Sequence, residues 1–159
     1  MICDVLNTFA DGVSVAAAAG TALIGDVIDL GANHADVGLA TNGKLYLVLT
    51  TSTEIITGGA AGTVKFQLAS DAQAAIATDG SASIHFDTGT FVTDDSAAND
   101  SALNAGGRIA CFALPLEGRV YERYLGILAV TATTTTTAGA INAFLTNTPP
   151  AWAAYPDGI

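Results

Sequence analysis

The chain holds two histidines, His34 and His85, and any hydrolytic mechanism would have to be built around one of them. Nucleophilic catalysis needs a Ser or Cys within reach of a base, and an acid to orient that base. Neither histidine lies in a motif that marks a nucleophile, and no Gly-x-Ser-x-Gly elbow occurs. A loop or surface position is expected for both. Metal binding is the second chemistry to weigh. Asp29-Leu30-Gly31-Ala32-Asn33-His34-Ala35-Asp36 sets oxygen and nitrogen ligands at close spacing. Calcium needs several converging oxygens, and zinc more imidazole or thiolate. A turn accounts for the segment without an ion, because Asp and Asn bond their own backbone and Gly supplies positive φ. Asp94-Asp95-Ser96-Ala97-Ala98-Asn99-Asp100 lacks the central Gly and final Glu of a calcium loop and reads as a solvated loop. Gly58-Gly59-Ala60-Ala61-Gly62 has the glycines of a phosphate loop, but no Lys-Ser or Lys-Thr pair follows it. No catalytic residue, cofactor or metal ligand is expected, and the chain is not expected to be an enzyme.

The elements around these residues are strands. In Lys44 to Thr50, Leu45, Leu47 and Leu49 share one face, with Lys44, Tyr46, Val48 and Thr50 on the other. In Val64 to Leu68, Val64, Phe66 and Leu68 alternate with Lys65 and Gln67. That period suits half-buried antiparallel strands. Ile109 to Leu114 is apolar on both faces and predicts a central strand covered on both sides, ended by Pro115. Leu116-Glu117-Gly118-Arg119 is the next turn. Val120 to Val130 predicts a long strand that starts with Tyr121, Glu122, Arg123 and Tyr124. Thr131 to Thr137 suits an extended hairpin arm, since crowded Thr side chains disfavour helix. Ala140 to Thr146 predicts the last strand. Earlier, Ala22 to Leu30 predicts a strand, and Val13 to Ala19 its partner or a short helix. Ser70 to Gln73 has capping-box spacing, enough for one helical turn in a loop. Ala82 to Phe86 and Thr90 to Thr93 are short strands. About eight strands in one domain, residues 1–159 with an extended tail from about residue 147, predict an all-β antiparallel sandwich of jelly-roll type.

Composition narrows the partners. Half of the 159 residues are hydrophobic and only 13% are charged, against about 25% in an average soluble domain. Fifteen Asp and Glu face five Lys and Arg, a formal charge of −10. Such a surface repels phosphate backbones and anionic lipid, so neither nucleic acid nor membrane is an expected partner. Basic protein surfaces attract it. Cys3 and Cys111 are too few for a disulfide framework in a chain of this length. Cys111, in Ile109-Ala110-Cys111-Phe112, is expected to be a buried free thiol, and synthesis in a cytosol is expected. The apolar run Val13 to Ile24 follows Asp4 and Asp11 with no Lys or Arg, so it lacks the basic flank of a signal segment. In the tail, Pro149, Pro150 and Pro156 keep the backbone extended, and Trp152 either folds back over the core or anchors a partner.

A family resemblance joins these segments. Val27-Ile28-Asp29-Leu30-Gly31, Leu45-Tyr46-Leu47-Val48, Val64 to Leu68, Leu114-Pro115-Leu116, Glu122-Arg123-Tyr124-Leu125-Gly126, Ala138 to Thr146 and Ala154-Tyr155-Pro156-Asp157 follow one another in that order. So arranged, the chain resembles the jelly-roll capsid cement (decoration) proteins of tailed bacteriophages, as on Bordetella phage heads. The resemblance implies a structural virion protein on the outer surface of an icosahedral capsid, made in the bacterial host cytoplasm. Its implied partners are the major capsid protein and further copies of itself, as dimer or trimer. It carries over no catalytic residue. Trp152, Tyr155, Arg123 and Tyr124 are the candidate protein-interface residues. The alternative is a receptor- or glycan-binding β-sandwich module of a phage tail or fibre, in which Tyr46, Tyr121, Tyr124 or Trp152 would line a groove.

Overall fold

Alternating apolar and polar side chains in an extended backbone can bury one face only against a second sheet, and the chain is built on that constraint. The structure, a computed structural model, describes residues 5–32, 45–58, 61–93, 100–115 and 118–148. Among these residues nine strands occur: β1 Thr8–Ser14, β2 Gly20–Asp29, β3 Tyr46–Thr57, β4 Gly62–Asp71, β5 Ser83–Asp87, β6 Phe91–Thr93, β7 Arg108–Ala113, β8 Tyr124–Ala132 and β9 Thr136–Thr146. Two 3-10 turns, Val5–Asn7 and Ser101–Leu103, complete the regular structure of the described residues.

The strands form two antiparallel sheets. One has the order β1-β9-β3-β7; the other runs β2-β8-β4, with β5 and β6 both on the far side of β4. The pairing is nested: β1 with β9, β2 with β8, β3 with β7, and β4 with β5 and β6. This is one long hairpin folded over on itself, which is a jelly roll. The ninth strand arises because β5 and β6 act as one interrupted strand. β6 pairs with Gly62 to Val64 and β5 with Gln67 to Ser70. At the break, Thr88 stands in for a strand partner: its Oγ1 accepts from Phe66 N at 3.0 Å, and its N–H donates to Phe66 O at 3.0 Å.

The main core lies between the sheets. Leu47 and Leu49 from β3, Val64, Phe66 and Leu68 from β4, Leu125 and Ile127 from β8 and Ile141 and Leu145 from β9 are all buried there. Val48, on the opposite face of β3, is buried as well. A smaller apolar cluster lies outside the second sheet. Ile76 and Ala82, from the connection between β4 and β5, pack on Ala69 and Leu128, with Leu23 and Val27 at the margin. Gly126 makes room for it, since a Cβ there would stand 2.6 Å from Ile76 Cδ1.

Several expectations need correction. Among the described residues β7 is an edge strand rather than a central one; its four inner residues are partly buried and its two end residues exposed. Cys111 on β7 is free but only partly buried. β8 begins at Tyr124, so Val120 to Arg123 precede it as irregular chain. The Thr-rich stretch does not make a hairpin; it carries the chain from β8 in one sheet to β9 in the other, through Thr133 at φ 73°. Val13 to Ala19 forms neither helix nor a separate strand, apart from the end of β1 and a bridge from Ala17 to Thr136. Residues 72–75 form bends instead of a helical turn, because the Asp71 carboxylate accepts N–H bonds from Gln73 and Ala77.

Candidate protein interface

Two of the segments singled out in the sequence, Val27 to Gly31 and Glu122 to Gly126, meet in the fold. Asp29, the last residue of β2, lies opposite Tyr124, the first of β8. Arg123 just before β8 donates from Nε to Asp29 Oδ1 at 2.9 Å and from Nη2 to Oδ2 at 2.8 Å. This two-pronged geometry suits a planar guanidinium and fixes both side chains. The backbone reinforces it: Leu30 N donates to Arg123 O at 2.8 Å, and Gly31 N donates to Asp29 Oδ1 at 2.8 Å. The turn expected at Asp29-Leu30-Gly31 is thus present, with Gly31 at φ 73°. The Arg123 hydrogen bonds, helped by the Gly31 N–H, hold the Asp29 carboxyl down at about 2. Arg123 is held further in its charged form by the same carboxylate. Its guanidinium carbon also lies 5.1 Å from the centroid of the Tyr124 ring, within cation–π range. The pair stays half-exposed, with side-chain exposures of 51% for Arg123 and 45% for Asp29. A preorganised, solvent-facing guanidinium of this kind can donate to a partner's carboxylate or backbone carbonyl at low entropic cost.

The chain leading into Arg123 is pinned from below. Tyr121 is buried, donates its hydroxyl to Pro115 O at 2.9 Å, and stacks on His85 with centroids 3.8 Å apart and planes 15° off parallel. Burial pushes the Tyr121 phenol up to about 12. Ser70 Oγ accepts the Glu122 N–H at 2.9 Å and lies 2.7 Å from His85 Nε2. The hydroxyl keeps one proton and a second lone pair, so it can either donate to His85 Nε2 or accept from it, according to the imidazole tautomer. Burial lowers the His85 pKa, the positive charge of Arg119 adds to that, and Glu122 opposes it. Ser83 Oγ donates to Glu122 Oε1 at 2.7 Å and closes the network. A Ser–His pair looks like half of a nucleophilic site, but Ser70 is fully buried and its hydroxyl faces no open space. His85 is therefore not the loop or surface residue expected; it is a half-buried strand residue that helps to hold Tyr121 and Glu122.

The structure thus brings Arg123 and Tyr124 together and adds Asp29 as their partner. Trp152 and Tyr155 lie outside the described residues, as do Cys3, His34, Asp36 and Asp94 to Asn99. Among the described residues no group of three or more His, Cys, Asp or Glu converges as a metal site would require.

The Bbp16 family model matches residues 9–145, from the second residue of β1 to the penultimate residue of β9. The chain belongs to the Bbp16 family. This is a Bordetella phage protein family, and the match takes in both sheets, the Asp29–Arg123 pair and the clamp beneath it. No curated protein matches the chain. The Bbp16 match stops before Pro149, so it leaves the proline-bearing tail outside.

Proposed function

We propose that this Bbp16-family protein is a structural virion protein, a cement or decoration protein that binds the outer surface of a tailed-phage icosahedral shell. Its partners would be neighbouring major capsid proteins and other copies of itself, in dimers or trimers. The observation that supports this reading is membership of a phage protein family across the whole jelly roll, including the locked guanidinium at the β2–β8 end.

The mechanism is one of added interface. A filled shell is under outward load, and a clamp across two capsomers adds buried area at each seam. Each contact need only be of ordinary size, because symmetry repeats it and linked copies bind with avidity. The sandwich offers strand edges at β1 and β7 in one sheet and at β2 in the other, where a neighbour's strand can pair through main-chain bonds. The net charge of −10 directs the protein toward basic protein surfaces and away from nucleic acid and anionic membranes. No catalytic step or cofactor enters this reading. The glycan-binding alternative has lost one aromatic, since Tyr121 is buried under Pro115 and His85.

The test is reconstitution. Purified protein added to shells that lack it should co-sediment at a fixed ratio and raise the temperature at which the shells release their contents. Protein that neither sediments with such shells nor protects them would remove the cement reading. A dose-dependent hit on a glycan array would favour the alternative.

A further inference from the structure

A second surface lies at the sandwich edge where β1 and β2 run against each other. Two opposed bulges open it. The β1–β9 register slips between Thr8 and Ala10 and again between Ala10 and Val13; the β2–β8 register slips between Ile24 and Ile28. Gly25 lies in the β2 bulge at φ 69°, and its missing Cβ is what lets the Phe9 carbonyl pack against it. Across the β1 bulge, Gly12 N donates to Asn142 Oδ1 at 2.7 Å. The result is a cleft of about 540 Å³, within the roughly 300–1,000 Å³ typical of ligand sites. Val5, Val13 and Phe144 supply its apolar walls, and Asp11 and Asp26 stand on its lining beside Asn142. Val5 on its lining is 85% exposed, and the adjacent Leu6 is 79% exposed.

The charge around this cleft has one sign. The first 43 residues contain no Lys or Arg, and neither do β1, β2 and β9. Asp11 and Asp26 have no ion-pair partner among the described residues, where the ion pairs are Lys65–Asp87 and Arg123–Asp29. Apolar walls beside uncompensated carboxylates call for an occupant that is greasy and cationic. Nucleic acid and anionic lipid are repelled, and a second copy of a chain with charge −10 brings few cations. We propose that the β1–β2 cleft is a docking site for a basic peptide segment of a different protein, with Lys or Arg alternating with aliphatic or aromatic residues. The cations meet Asp11 and Asp26, and the apolar side chains cover Val5, Val13 and Phe144. The inference does not depend on which protein carries the segment, and it concerns a surface distinct from the Arg123 end.

The test uses the full chain, isotope-labelled, and two capped hexapeptides: one alternating lysine with leucine, the other with glutamate in place of each lysine. The lysine peptide should shift the amides of Val5, Asp11, Val13 and Asp26 and lose affinity as salt rises. The glutamate peptide should leave them unmoved. The double variant D11N/D26N, whose retained spectrum shows that it folds, should bind the lysine peptide about tenfold more weakly, the scale of two partly exposed ion pairs. Shifts confined to the Arg123 end, equal response to both peptides, or no response would each overturn the proposal. So would cleft amides that move with protein concentration alone alongside a doubled mass by light scattering, since the occupant would then be a second copy. Shell binding is measured separately, so either idea can fail without the other.

Discussion

Strand β2 carries two exposed carboxylates three residues apart, Asp26 and Asp29, and they meet opposite fates. Asp29 stands where the β2–β8 ladder runs unbroken to its end, so its register partner Tyr124 brings Arg123 alongside. Its charge is spent on a two-pronged bond and on the Gly31 N–H. Asp26 stands in the bulge, where the ladder is interrupted and no cross-strand residue faces it. It is left on the wall of a cleft with no cation among the described residues beside it. The same residue type on the same strand becomes a lock where the register holds and an open charge where it slips. Bulges at sheet edges re-aim side chains in this way.

The largest effect should come from removing the slip. Gly25→Ala places a Cβ against the Phe9 carbonyl and forces an L-residue into φ 69°. Loss of about 3–4 kcal/mol in urea unfolding is expected, the upper tail for a single substitution. Gly12→Ala, also at positive φ but with open space around the new methyl, should cost less. If the two variants unfold alike, contact with Phe9 is not what sets the β1–β2 bulge.

Next comes the outer support of the β2–β8 pairing. Ile76 is buried against Leu128, Ala69 and Gly126 outside the second sheet. Ile76→Ala should cost about 2 kcal/mol, the low end for emptying a buried aliphatic site, because the covering loop can collapse. Amide exchange should quicken along β2 and β8 and stay unchanged along β9. Equal quickening in both sheets would mean that the two faces unfold as one unit.

The contrast between the two carboxylates was only half legible in the sequence. Val64, Phe66 and Leu68 announced themselves by alternation, and they face the core as expected. Ile109 to Leu114 misled, because an apolar composition reports that faces are covered and says nothing about whether the hydrogen-bonding edges are paired. β7 packs Phe112 on Phe86, with centroids 3.6 Å apart, and yet among the described residues pairs along one edge only. Tyr121 to Tyr124 mimicked the start of a strand because aromatic and charged residues alternate there. In the fold Tyr121 is held by a stack and Glu122 by side-chain bonds, while only Tyr124 joins the ladder. The Arg123–Asp29 pair spans 94 positions, so no local pattern could have joined its halves. The cleft left only Gly12 and Gly25 as traces, two glycines among seventeen.

Acidification should separate the His85 clamp from the Asp29–Arg123 lock by order. His85 has its pKa lowered below 6.5, so the folded state prefers the neutral ring. Its contribution is full above the unfolded value of 6.5 and is lost as pH falls through the lower folded value. Once protonated, the ring carries a charge that its partial burial disfavours, and Arg119 repels it while Glu122 attracts it. Asp29 is lowered from 3.8 to about 2, so its contribution is full above 3.8 and fades as pH falls toward 2. Resonances of Tyr121 and Glu122 should therefore broaden below pH 6.5 while the Arg123 side-chain signals hold until well under pH 4. His85→Asn should abolish the first step and leave the second. Simultaneous loss of both signals would show that the clamp and the lock are one structure.

The smallest effect on folding belongs to the residue with the largest expected effect on binding. Arg123 and Asp29 are half-exposed, and exposed ion pairs contribute little to stability. Arg123→Ala should leave the melting midpoint nearly unchanged while sharply weakening attachment to shells. The swap Asp29→Arg with Arg123→Asp keeps an ion pair at the same place but moves the cation from the residue before β8 to the end of β2. If attachment needs only a rigid β2–β8 end, the swap should bind as the parent does. If a partner reads the guanidinium where Arg123 holds it, over the Tyr124 ring, the swap should fold normally and bind no better than Arg123→Ala. Full binding by Arg123→Ala itself would move the shell-facing surface away from this end, toward the β1–β2 edge and Asp26, which has no ion-pair partner among the described residues.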